Sequence, residues 1–116
     1  MNGIQLIAAE RTRQEADLGY SPDHDDTHQR GELAKAAEVL VNCAEGMARG
    51  HATCYLRTAY IEGWPHHPKW PFDAKSLKLS KAPIPNLVKA GALIAAEIDR
   101  LQRLQRNSKR KEHAEP

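Results

Sequence analysis

The densest chemistry in the chain is Asp23-His24-Asp25-Asp26-Thr27-His28, two imidazoles and three carboxylates within six residues. Such donors can chelate a divalent metal, with His24, Asp25, Asp26 and His28 as ligands, or supply a general acid and base. The same residues also suit a plainer role, as carboxylates that accept backbone N–H bonds where the next helix begins. Exposed N–H groups at a helix start favour anions such as phosphate. Three acids there repel a bare phosphate, so His24, His28 and Arg30 are expected to make the contact unless a cation mediates.

A second group breaks the pattern expected of a helix face. At ~100° per residue, Arg11 and Gln14 project within about 40° of Ile7, and Glu10 about 60° away. All three therefore lie in or beside an apolar stripe formed by Ile4, Ile7 and Leu18. Near the other end of the chain Glu97 points among Ala90, Leu93, Leu101 and Leu104, whereas Asp99 points to solvent. A buried charge is costly unless it is paired or meets a ligand. Three readings follow: an internal ion pair such as Arg11 with Glu97, a polar pocket between helices, or a first helix that is misphased or covered by a second subunit. His66 and His67 are expected on the surface. Trp64, Trp70 and Phe72 can stack a nucleobase or anchor an irregular segment. Arg100, Arg103 and Arg106 suit a solvated basic helix end.

The elements that position these groups are helical. One helix is expected over 3–18, closed by Gly19 at the position after its end. A polar loop over 20–29 follows, opened by Ser21-Pro22. The next helix is expected over 29–46, with Asp26 and Gln29 able to form a capping box in competition with Asp25, Thr27 and His28 as caps, and with Leu33, Ala36, Ala37, Leu40, Ala44 and Met47 as its core stripe. A shorter helix is expected over 52–62. Residues 63–85 carry Pro65, Pro68, Pro71, Pro83 and Pro85, which rules out regular helix and predicts an ordered wrap held by its tryptophans. The last helix is expected over 86–106, capped by Asn86, with Leu87, Ala90, Ile94, Ile98 and Leu101 facing inward. Residues 109–116 read as a frayed basic tail. The fold class is all-α: a small bundle of three to four helices in a single domain, 1–108, with a Pro/Trp-rich irregular segment before the last helix.

Composition agrees with a small globular chain. It has 116 residues, 41% hydrophobic and 28% charged, with 5% aromatic. The longest run without a polar side chain, Ala90 to Ala96, is far short of a membrane span. The start of the chain shows no basic segment followed by an apolar one, so no signal peptide is expected. Cys43 and Cys54 are too few for a disulfide scaffold and read as reduced thiols, hence a cytoplasmic location. The net charge of +2 conceals an asymmetry: residues 1–38 carry a net −4 and residues 39–116 a net +6.

Several strings of residues resemble a family of small proteins from tailed-phage and prophage genomes. They are Ile7-Ala8-Ala9-Glu10-Arg11-x-Arg13-Gln14, then Gly19-Tyr20-Ser21-Pro22-Asp23-His24-Asp25-Asp26-x-His28, then Gly31-Glu32-Leu33-Ala34-x-Ala36-Ala37. The likeness continues in Trp70-Pro71-Phe72-Asp73 and in the run from Asn86 to Ile98. It covers most of the chain apart from 42–63 and the tail. The resemblance implies a setting, modulation of host machinery or host defence, without a family-wide reaction. All-α nucleotide pyrophosphohydrolases of the MazG type hold Mg²⁺ with Glu-x-x-Glu and Glu-x-x-Asp pairs. Here Glu97 is followed at the third place by Arg100, and Glu38 by Val41. HD phosphohydrolases need a histidine before their His-Asp dyad, and none precedes His24-Asp25.

The favoured function is a small helical binding protein that sequesters a phosphorylated nucleotide, such as a host defence signal. Its ligand contacts would come from Glu10, Arg11, Gln14, His24, His28, Arg30, Trp70 and Glu97. The first alternative is an interaction module that inhibits a host protein. The second is a metal-dependent nucleotide phosphohydrolase using the His/Asp loop with a divalent cation. A homo-oligomer fits all three, while a membrane and nucleic acid are not favoured partners.

Overall fold

Small side chains decide how the two main helices meet. Ala36, Ala37 and Leu40, with Leu33, face Ala90, Leu93 and Ala96, and all seven are buried in one cluster. Ala at the contact lets two helix axes approach closely while Leu fills the space between them. The computed structural model describes residues 1–49, 59–61 and 64–114. Its element order is α1 (Gly3–Leu18), α2 (Pro22–Asp26), α3 (Glu32–Ala48), β1 (Ala59–Ile61), β2 (Trp64–His66), a 3-10 turn (Ala74–Ser76) and α4 (Pro83–Ala114). The protein is an all-α bundle with one short antiparallel strand pair, in which Ala59 faces His66 and Ile61 faces Trp64.

α1 starts with a reciprocal cap. Asn2 Oδ1 accepts from the Gln5 backbone N–H at 2.9 Å, and Gln5 Oε1 accepts from the Asn2 N–H at 2.8 Å. It ends as expected at Gly19, in the left-handed region at φ 71°. The polar loop expected over 20–29 instead contains α2, with Ser21 as cap and Pro22 in its first turn. α3 begins three residues later than expected. Its N-cap is Gly31, at φ 77°, so the Asp26–Gln29 capping box does not form. The helix expected over 52–62 is contradicted at Ala59–Ile61, which is strand; the rest of it, apart from those residues, lies outside the described residues.

α4 is longer at both ends than expected. It runs for 32 residues, so neither Asn86 as a cap nor a frayed segment over 109–114 holds. Asn86 is fully buried and clamps the preceding loop. Its Oδ1 accepts from the Ser80 N–H at 2.9 Å, and its Nδ2 donates to the Ser80 carbonyl at 3.1 Å. The inward face of α4 also differs. Ala90 is buried as expected, but Leu87, Ile94, Ile98 and Leu101 are exposed, and the core is made by Ala90, Ala92, Leu93 and Ala96. Both faces are apolar, so helical phase alone could not choose between them; close packing against α3 selects the narrow one.

Cys43 does not carry the expected free thiol: it is disulfide-bonded. The chain's other cysteine, Cys54, lies outside the described residues. Pairing requires two Cα atoms within about 7 Å, which sequence spacing does not reveal. The thiol argument for a cytoplasmic location falls with it. Among the described residues no helix is long and apolar enough to cross a membrane.

Candidate functional site

Five rings form a continuous arc beside the bundle. Tyr20 follows directly on Gly19, whose left-handed turn swings the chain back over α1, and the Tyr20 N–H donates to the Gln14 carbonyl at 3.0 Å. α2 then lays the His24 ring parallel to Tyr20, centroids 5.3 Å apart. One turn later His28 meets His24 edge-on at 5.0 Å. Phe72 closes on His28 at 4.9 Å, and Trp70 meets Phe72 edge-on at 5.5 Å. Trp70 is held by its indole N–H, which donates to the Asp73 carbonyl and to Ser76 Oγ.

The arc borders a groove with two adjoining lobes that share Tyr20, Phe72, Ser76 and Leu93. The first, about 220 Å³, lies among Tyr20, His24, His28 and Phe72 over Leu33 and Leu93. The second, about 80 Å³, is bordered by Trp70 and Phe72 and by the polar groups Glu10, Arg13, Gln14, Lys78 and Lys89. Three cations stand there against one carboxylate. Arg13 donates to both Glu10 oxygens, at 2.7 and 2.8 Å, and this bond holds the Glu10 carboxyl below its ordinary range.

Gln14 is the unusual residue of this wall. It is 3% exposed, its Nε2 donates to Glu10 Oε2 at 3.3 Å, and its Oε1 is buried without a hydrogen-bond partner. Buried acceptors are nearly always satisfied, so an orphaned amide oxygen in a residue that borders the groove calls for a donor, from a water or a ligand.

Arg11 takes a different role from the one expected. Its Nη2 donates to Asp25 Oδ2 at 2.8 Å and its Nη1 to the Tyr20 carbonyl at 3.3 Å. It thereby ties α1 to α2 and to the first residue of the aromatic arc. Asp25 is fully buried, and burial pushes its carboxyl up from the ordinary range against the pull of Arg11. The proposed Arg11–Glu97 pair does not form. Glu97 does point inward, yet its partner is Arg100, one turn further along α4. Arg100 is buried rather than solvated. Arg103 is likewise engaged, donating to Asp26 Oδ1 at 2.8 Å and to the Pro22 carbonyl at 3.3 Å. These ties anchor α2 to α4.

Of the residues expected to bind a ligand, Glu10, Gln14, His24, His28 and Trp70 border the groove. Arg11, Arg30 and Glu97 do not. Arg30 is exposed, and its backbone N–H donates to Glu32 Oε1 at 2.6 Å. The four suggested metal ligands are not brought together. His24 and His28 face each other, with Nε2 atoms 3.5 Å apart, while Asp25 turns to Arg11 and Asp26 to Arg103. Among the described residues no group of three or more His, Cys, Asp or Glu side chains is placed to hold a metal ion. His67, expected on the surface, is buried, and its Nδ1 accepts from the Lys69 N–H. Sequence reasoning missed Tyr20, Arg13 and Lys89. Tyr20 carried one signal, an aromatic residue directly after a helix-ending glycine.

The chain matches no protein-family model, no curated protein and no solved structure.

Proposed function

We propose that this protein binds a phosphorylated nucleotide in the aromatic groove and holds it without cleaving it. The observation that carries the reading is the orphaned Gln14 Oε1, a buried acceptor at a wall shared with stacking rings and three cations. An amino or imino N–H of a nucleobase would satisfy it while the ring lies against Phe72 or Tyr20. Arg13, Lys78 and Lys89 would meet the phosphate at the rim. The two lobes together stand at the lower end of the usual range of roughly 300–1,000 Å³ for ligand sites. They suit one heterocycle, so a mononucleotide is favoured over a cyclic dinucleotide. The acids needed for a hydrolytic reading, Asp25 and Asp26, are engaged by Arg11 and Arg103. In the phage setting that the sequence resemblance implies, such a protein would sequester a host nucleotide signal.

The test is calorimetry and thermal denaturation with a panel of mononucleotides, ADP-ribose isomers and cyclic dinucleotides, followed by chromatography of the recovered ligand. A native-state ligand at a hundred times its Kd adds about 2.7 kcal/mol of stability. We expect such a gain with a mononucleotide that returns intact, and its loss in Gln14→Leu with the helical circular dichroism retained. A ligand returned cleaved, or no stabilisation by any member of the panel, would overturn the reading.

A further inference from the structure

α4 carries a second apolar face that the described chain leaves open except at Gly91, where Ile7 of α1 packs. Ile84, Leu87, Ile94, Ile98 and Leu101 are between 42% and 64% exposed. With Gly91 they recur at alternating steps of three and four residues, the seam of a coiled coil. The one break in the row, Gly91, is filled from α1: a Cβ at that position would lie 2.6 Å from Ile7 Cδ1. Ile4, one turn earlier on α1, is 82% exposed. The result is a continuous apolar strip rather than scattered exposed side chains, and such strips mark contact sites.

The molecule also exposes more surface than a chain of its size needs to. A compact monomer of 13.0 kDa is expected to expose about 6,300 Å². This chain exposes 7838 Å². The excess, on the order of 1,500 Å², includes the exposed charged end of α4 as well as the strip, and is larger than the ~800 Å² that each partner covers in a standard interface. Shape agrees: the radius of gyration is 16.2 Å, against about 13.4 Å for a compact domain of this length.

We infer that the exposed face of α4 is the interface with a second copy of this chain, packed antiparallel. Two identical strips are self-complementary across a two-fold axis, as a symmetric dimer requires. Charge chooses the direction. Residues 83–99 carry one lysine and two acids, whereas residues 104–111 carry Arg106, Lys109, Arg110 and Lys111 and no acid; Arg100 and Arg103 are already paired with Glu97 and Asp26. Parallel packing would lay two such tails side by side; antiparallel packing sends them to opposite ends. The inference does not depend on what the groove binds.

Sedimentation equilibrium of the full chain at micromolar to hundreds of micromolar concentration tests it. We expect twice the chain mass, and a monomer for the double variant Ile94→Glu/Ile98→Glu with its helical circular dichroism intact. Should that variant unfold, Leu101→Lys alone is expected to raise the dissociation constant at least tenfold. Spin labels at Arg106→Cys then report direction: antiparallel packing separates them by about 40 Å, from 1.5 Å per residue about the middle of the seam. A wild-type monomer throughout, a double variant that remains dimeric, or labels close together would each overturn the proposal, including the case in which only a foreign protein binds the strip.

Discussion

Arg11 and Asp25 are joined by a 2.8 Å bond between a nearly buried guanidinium and a fully buried carboxylate. That bond links α1 to α2, and α2 carries His24 and His28 into the aromatic arc. The residues that sequence patterning marks as a ligand site therefore divide into two tasks. Arg11 and Asp25 hold the wall in place, while Gln14, the histidines and Phe72 present it to the groove.

Breaking this pair is expected to unfold before it affects chemistry. Removing one partner of a buried ion pair costs about 3–5 kcal/mol, because the other charge stays buried. Arg11→Met should lose that much in urea denaturation, and Arg11→Met/Asp25→Leu should recover most of it. A single variant as stable as wild type would show that the bond carries no structural load.

Acid should act on two carboxyls in opposite senses. Glu10 is held below 4.5 by the bond from Arg13. Its folded pKa is thus lower than its unfolded one, and its stabilisation is complete above 4.5 and lost as pH falls through the folded value. Asp25 is raised above 3.8 by burial. Its contribution is complete below 3.8 and is lost as pH rises through the raised folded value. Urea denaturation from about pH 6 to about pH 3 should show a shallower acid loss in Glu10→Gln and a steeper one in Asp25→Asn. Unchanged slopes in both would contradict the assignments.

Gly91 makes room for Ile7. A methyl group there would stand 2.6 and 2.8 Å from Ile7 Cδ1 and Cγ1. Overpacking of this kind costs roughly 1–3 kcal/mol, offset in part by the ~1 kcal/mol gained in helix propensity. Gly91→Ala is expected to be destabilising alone and stabilising in the background of Ile7→Ala. Additive effects in that double-mutant cycle would mean the two residues do not touch.

Asn86 holds the loop that leads into α4. Asn86→Ala leaves the Ser80 N–H and carbonyl without their partner, at about 1–3 kcal/mol for each buried group left unsatisfied. Asn86→Asp keeps the acceptor and sets a carboxylate against the Ser80 carbonyl, so it should rescue little. Thermal denaturation of both variants distinguishes the clamp from simple volume loss.

Phe72 and Lys89 should affect ligand affinity differently. Stacking on an aromatic ring is worth about 1–3 kcal/mol per base, so Phe72→Ala should weaken mononucleotide binding roughly tenfold to hundredfold. Lys89→Ala should instead flatten the dependence of affinity on salt. Isothermal titration at two salt concentrations reads both.

The amino-acid sequence by itself determined the helical class, the extent of α1 and its glycine stop, the Leu/Ala stripe of α3, and the inward placement of Gln14 and Glu97. Those features are local or periodic: a 3.6-residue repeat and a left-handed turn residue act within a few positions of themselves. Only the tertiary structure decided that Asp25 meets Arg11, because the direction in which α2 leaves Gly19 sets that distance and periodicity carries no information about it; Glu97 with Arg100 is a local pair one turn apart within α4. The tertiary structure also decided which of two apolar faces of α4 turns inward. Alanine permits the closer helix approach, and that preference appears only when α3 is present to pack against.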